Sequence, residues 1–170
     1  MLTKDMKELI RIFNEHGVEY LLVGGYAFGV HAQPRATKDL DLFIKADPAN
    51  AKAAYSALAS FGAPLTNIAV DDLADPNKFI RFGREPVAVD IFAGIDGVNF
   101  DAAWARRVEG VIDAKTGLTT FFISKSDLIA SKVAAGRLRD LADVEEIRAS
   151  DASQATREQA SPSSAPEKKE

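Results

Sequence analysis

Two short apolar runs, Tyr20 to Val23 and Leu40 to Ile44, bracket a glycine pair and an acidic pair, and no other feature restricts the fold as tightly. The stretch reads Tyr20-Leu-Leu-Val-Gly-Gly-Tyr-Ala-Phe-Gly-Val-His-Ala-Gln-Pro-Arg-Ala-Thr-Lys-Asp-Leu-Asp-Leu-Phe-Ile44. Asp39 follows Gly25 by fourteen residues, which leaves room for a short helix and a return to a second strand. Side chains on a strand alternate between faces, so Asp39 and Asp41 project together while Leu40, Leu42 and Ile44 project into a core. The two acidic Cα atoms would lie about 6.6 Å apart, close enough for both carboxylates to grip one divalent cation or a pair of them. A glycine pair entering a helix exposes bare backbone N–H groups, a means of holding phosphate. Phosphate beside paired hard-oxygen ligands points to metal-dependent phosphoryl chemistry.

The rest of the composition narrows the choices. A chain of 170 residues supports one domain with a proper core. With 46% hydrophobic and 27% charged residues it has ordinary globular composition. A formal charge of −4 argues against a general nucleic-acid-binding surface and leaves room only for a local basic rim. Without cysteine there is no disulfide framework, thiolate zinc site or cysteine nucleophile, and His16 and His31 alone cannot build a histidine-rich centre. A metal here would be held by carboxylates, which favours Mg²⁺ or Mn²⁺ over zinc. The charged N-terminus and the lack of a long apolar run lead to the expectation of a cytoplasmic protein with no membrane partner.

Local signals order the chain into elements. Lys4 to His16 reads as an amphipathic helix capped by Thr3 and closed by Gly17. Tyr20 to Val23 is a buried strand, Tyr26 to His31 a helix stopped before Pro34, and Asp39 to Ile44 the acidic strand. Asp47 and Pro48 open an alanine-rich helix to Phe61, closed by Gly62. Ala63 to Asn77 is irregular. Lys78 to Phe82 and Val87 to Phe92 form a hairpin around Gly83-Arg84-Glu85-Pro86. Phe100 to Ala105 is one or two helical turns, and Val108 to Ile112 and Leu118 to Phe122 are strands. Ser124-Lys-Ser-Asp127 is a capping box opening a helix to about Ala135, with Gly136 breaking it before a second helix from Leu138 to about Arg148. The expected organisation is one domain over residues 1–149 and a disordered tail over 150–170.

Two further residues stand out. Val87, Val89 and Ile91 share one face of their strand and put Asp90 on the other, costly for an acid unless it is at an edge, paired or bound to metal. If that strand lies beside the Asp39/Asp41 strand, three carboxylates converge, a ligand set for a two-metal centre. Lys132 falls inside the apolar stripe of Leu128, Ile129 and Val133, where a lysine either snorkels to solvent or meets an anion such as a triphosphate. Arg137, Asp140 and Asp143 follow it and could orient it. Each feature alone has a plainer reading: a turn for the glycines, a cap for Asp-x-Asp, a strand end for Asp90, a snorkelling side chain for Lys132.

In combination, Val23-Gly24-Gly25 with Asp39-Leu40-Asp41, and Asp90 on a neighbouring strand, resemble the nucleotidyltransferase superfamily, the fold shared by DNA polymerase β and tRNA CCA-adding enzymes. The form Gly24-Gly25…Arg35-Ala-Thr37-Lys-Asp39-Leu-Asp41, with Lys132…Asp140…Asp143, is similar to its small stand-alone prokaryotic branch, near the abortive-infection toxins of toxin–antitoxin pairs. Gly25 stands where many members have serine, and these 170 residues leave no room to expect the large helical domain by which RNA-modifying members hold their acceptor. The resemblance implies a mixed α/β (α+β) fold, a short twisted sheet flanked by helices with two helices at the C-terminal end. It implies transfer of a nucleoside monophosphate from an NTP such as ATP to a hydroxyl on RNA (a tRNA end, for instance) or a partner protein, releasing pyrophosphate. Asp39, Asp41 and Asp90 would hold Mg²⁺ or Mn²⁺, and Asp90 would assist deprotonation of the acceptor. Gly24, Gly25 and Lys132 would carry phosphates, with Arg35 and Thr37 orienting the loop. The competing expectation is a non-catalytic nucleotide-binding or interaction module, one half of a toxin–antitoxin pair with a cognate partner.

Overall fold

A computed structural model describes residues 2–84 and 87–160. Among these residues six helices and six strands follow one another as α1 (Lys4–Glu15), β1 (Tyr20–Leu22), α2 (Gly24–His31), β2 (Asp39–Ile44), α3 (Pro48–Phe61), β3 (Phe79–Arg84), β4 (Val87–Phe92), α4 (Phe100–Ala105), β5 (Val108–Asp113), β6 (Leu118–Phe122), α5 (Lys125–Ala135) and α6 (Leu138–Ala160). The strands make one open, mixed sheet in the order β3-β4-β2-β1-β6-β5. β2 runs parallel to β4 and β1 parallel to β6, while the β1–β2, β3–β4 and β5–β6 pairs are antiparallel. The mixed α/β fold with a flanked sheet and two C-terminal helices is the one expected.

Local chemistry explains most boundaries. Thr3 accepts a hydrogen bond from the Met6 N–H, and α1 buries Met6, Leu9, Ile10 and Phe13 along one stripe. Asp47 caps α3 through the Asn50 N–H, Pro48 supplies its first turn, and Gly62 closes it at φ +86°. Ser124 accepts from the Asp127 N–H to open α5, and Gly136 ends it at φ +64°. The core lies where these elements meet β1 and β2: Tyr20, Leu21, Leu22, Leu40, Leu42 and Ile44 are fully buried. Tyr20 keeps its hydroxyl satisfied there through Asn14 and Thr120, at 2.8 and 3.0 Å, and burial pushes its phenol up to about 12.

Beyond shifts of a single residue, the structure departs from the sequence expectation at four places. The first helix after β1 begins at Gly24, so the glycines form its opening turn, and Val23 is its cap. A 3-10 turn, Val70–Ala74, sits within the stretch expected to be irregular, with the Asp72 carboxylate accepting the Ala69 N–H. β3 continues to Arg84, two residues beyond the expected end at Phe82; of the expected hairpin turn, Glu85 and Pro86 lie outside the described residues. α6 runs on to Ala160, past the end expected near Arg148. No proline or glycine interrupts the sequence from Leu138 to Ala160, and its alanine, glutamine, glutamate and arginine are helix formers. Among the described residues no helix is long and apolar enough to cross a membrane.

Candidate active site

The sheet order brings the acids together. Because β2 and β4 are parallel neighbours, Asp41 stands opposite Asp90, and Asp39 opposite Ala88. Alternation does the rest: Leu40 and Leu42 are fully buried on one face, while Asp39 and Asp41 remain half-buried on the other. Asp90 is 7% exposed, with its Oδ1 buried and without a hydrogen-bond partner. An orphaned carboxylate oxygen at such depth is expensive.

The glycines are fitted to these acids. The Val23 N–H donates to the Asp41 carbonyl oxygen, extending the β1–β2 ladder by one bond and setting Gly24 against the Asp41 side chain. Gly24 has φ +60°, and a Cβ on it would fall 2.0 Å from Asp41 Oδ2. A Cβ on Gly25 would fall 2.6 Å from Thr37 Oγ1. Both positions therefore exclude a side chain, the first by backbone conformation as well as space. Burial, then the charges of Asp90 and Asp39, push the Asp41 carboxyl up to about 6, against the opposing pull of the Gly25 N–H and Arg81. Burial also raises Asp90, although Arg81 draws it back. The Tyr26 phenol is raised by burial and by the charges of Asp39 and Asp41.

Arg81 is the residue that sequence reasoning missed. It stands opposite Asp90 across the β3–β4 pair and donates to Asp90 Oδ2 and to Asp39 Oδ2, each at 3.3 Å. The signal lay in the hairpin register, because ending β3 at Phe82 pairs Arg81 with Ala88 and hides it. With Arg81 between two of them, the acids do not close into a ready-made ligand cluster, and none of three or more acidic or imidazole side chains occurs among the described residues.

Beside Asp41 opens a cleft of about 370 Å³, lined by Val23, Gly24, Phe92, Lys132, Arg137 and Asp140 among others. Lys132 is buried in its wall and donates to Asp143 at 2.5 Å and to Asp140 at 3.4 Å. Arg35 grips Asp143 with both terminal nitrogens and lies 4.2 Å from the Phe28 ring centre. Arg137 donates to Asp140 at 2.6 Å from a side chain that is 78% exposed. Burial disfavours the Asp143 charge, but the hydrogen bonds from Arg35 and Lys132 outweigh it and hold the carboxyl below its usual range. In this network three cations, Arg35, Lys132 and Arg137, face two carboxylates, Asp140 and Asp143, while the cleft itself is lined by Lys132 and Arg137 together with the acids Asp41, Asp96 and Asp140. The network ties the loop before β2 to α5 and α6 through Arg35, while Thr37, on the same loop, packs against Gly25.

The donor set suits a hard divalent cation: oxygen ligands only, one buried oxygen without a partner, and a carboxyl raised by burial and then by its like-charged neighbours. No curated protein matches the chain. The family described as "Nucleotidyltransferase of unknown function (DUF6036)" matches residues 1–153, a span that includes both glycines, all three acids and Lys132, and the chain belongs to that family.

Proposed function

We propose that this protein is a divalent-metal-dependent nucleotidyltransferase, moving a nucleoside monophosphate from an NTP to an acceptor hydroxyl and releasing pyrophosphate. The observation that carries the reading is the Asp41–Asp90 pair on adjacent parallel strands, at the edge of a cleft that also holds Gly24 and Lys132. Asp39, Asp41 and Asp90 would hold Mg²⁺ or Mn²⁺, which when bound supplies charge neutralisation at the reacting phosphate and acidifies an acceptor hydroxyl.

The chain's own groups perform the remaining work. The N-terminal turn of α2, at Gly24 and Gly25, and the exposed Arg137 side chain, with Lys132 behind it in the cleft wall, attract the triphosphate. The acceptor oxygen bonds to the α-phosphorus as the bond from that phosphorus to the β-phosphate bridging oxygen breaks. Asp90, whose carboxyl burial makes more basic than usual, accepts the hydroxyl proton. Acceptors of this chemistry are RNA, including a tRNA end, or a partner protein.

One observation favours a second reading, a non-catalytic nucleotide-binding or interaction module of a toxin–antitoxin-type pair. Arg81 already bridges Asp39 and Asp90 and would do so in a protein that never loads metal.

Incubation with each α-³²P-labelled NTP, Mg²⁺ and total RNA or lysate protein separates the two. The first reading expects a labelled macromolecule with wild type and none with Asp41→Ala. Labelling that survives Asp41→Ala places the chemistry elsewhere. NTP binding without any labelled product favours the module.

A further inference from the structure

Two rows of side chains cross the acidic face of the sheet. The first is charged: Arg81 opposite Asp90, and Asp90 opposite Asp41. The second lies one alternation along each strand and is aromatic: Phe79 opposite Phe92, and Phe92 opposite Phe43. Alternation puts both rows on the same face, about 7 Å apart along the strands. The aromatic row is anchored at its inner end, where Phe43 is 1% exposed and its ring centre lies 5.0 Å from that of Phe100. Phe92 lines the cleft beside Gly24 and Asp41. At the outer end, on edge strand β3, Phe79 is 59% exposed. The Phe79 and Phe92 rings lie nearly parallel, 18° between planes and 5.9 Å between centres.

Edge strands are usually protected by charge, and the phenylalanine there covers Phe92 with one face while 59% of its surface stays open to solvent. We propose that Phe79, backed by Phe92, is a stacking platform for the terminal base of a single-stranded nucleic acid acceptor. This rests on the transferase reading and selects a nucleic acid over a protein acceptor. A stack already two rings deep continues through a base, since every base has a π-face. The step from the aromatic to the charged row is comparable with the span from a stacked base to its own ribose hydroxyl, so a base on Phe79 carries its hydroxyl toward the Arg81–Asp90 end of the charged row. Lys78 and Arg81, on either side of Phe79 in the chain, are already paired, Lys78 with Asp72 and Arg81 with Asp39 and Asp90, so the ring face rather than phosphate charge carries the binding.

A second copy or a protein partner fits less well. The other large apolar residues exposed among those described (Val30, Val108, Val111, Val133, Leu138 and Leu141) belong to α2, β5, α5 and α6. On β3 the apolar patch is one ring wide, enough for a base and far short of a stable protein interface.

Fluorescein-labelled hexauridylate and hexaadenylate, titrated into the full chain at low salt without NTP and followed by anisotropy, test the platform. Wild type should bind at least one of them. Phe79→Ala should weaken that binding about tenfold or more, Phe79→Leu similarly, and Phe79→Trp should restore it. Equal affinities in wild type and Phe79→Ala, or no binding of either probe, overturn the proposal. So does light scattering that finds a wild-type dimer and a Phe79→Ala monomer, because the ring would then be covered by a second copy. The two readings fail separately. Transfer that needs Asp41 while oligonucleotide binding ignores Phe79 removes the platform alone; Phe79-dependent binding with no transfer to any acceptor removes the transferase alone.

Discussion

Gly24 and Asp41 occupy each other's space: a Cβ on Gly24 would lie 2.0 Å from Asp41 Oδ2 and 3.0 Å from its Cβ. The glycine and acidic halves of the motif are thus one packing unit, held by the β1–β2 ladder and the Val23 N–H bond to the Asp41 carbonyl oxygen. The glycine serves the acid's placement as much as any phosphate.

Gly24→Ala therefore carries two penalties, strain at φ +60° and collision with Asp41. Strain alone costs on the order of 1–2 kcal/mol, and the collision adds to it by turning Asp41 away from Asp90. We expect a lower melting temperature together with loss of Mn²⁺ binding by paramagnetic resonance. A variant that binds Mn²⁺ like wild type would show that the close fit does not position the acid.

The raised Asp41 carboxyl makes a pH-dependent prediction. Its pKa moves from 3.8 to about 6, so the folded state holds the proton more tightly than the unfolded chain. That contribution favours folding below about pH 4 and is lost as pH rises through 6. Asp41→Asn should consequently stabilise the metal-free protein at pH 7.5, by up to about 3 kcal/mol, with the advantage vanishing near pH 4. Urea titrations at both pH values measure it. Mg²⁺ with an NTP should raise the melting temperature of wild type and leave an Asp39→Asn/Asp41→Asn double variant unmoved.

Arg81 competes with any cation for Asp39 and Asp90, which it bridges at 3.3 Å each. Removing its charge with Arg81→Met leaves the acids repelling one another and receptive to a divalent ion. Mn²⁺ should bind this variant several-fold more tightly than wild type in calorimetric titration. Unchanged or weaker binding would mean that Arg81 does not occupy the cation's place.

Lys132 is committed to Asp140 and Asp143, and all three side chains are buried. Truncating one partner of such a network strands the others, so Lys132→Met should cost about 3 kcal/mol in denaturant unfolding. The double variant Lys132→Met/Asp143→Asn should recover part of the loss, since it removes the stranded charge too. Wild-type stability in Lys132→Met would instead make the lysine a free phosphate ligand with little structural duty.

What the sequence determined by itself was local. Alternation over Asp39 to Phe43 dictated which side chains go inward, and Asp47, Gly62, Ser124 and Gly136 marked helix ends because caps and positive-φ turns are decided within four residues. Those same signals placed Gly24, Gly25, Asp39, Asp41 and Asp90 as one candidate set. Their juxtaposition was a matter for the tertiary structure. Asp41 meets Asp90 only because β4 pairs in parallel with β2, and strand order leaves no local trace. Arg35 reaches Asp143 across a separation of 108 residues, so nothing near either residue foretells that Lys132 shares its carboxylates. Arg81 depended on two residues of hairpin register, which hydrogen bonding between strands sets and composition does not.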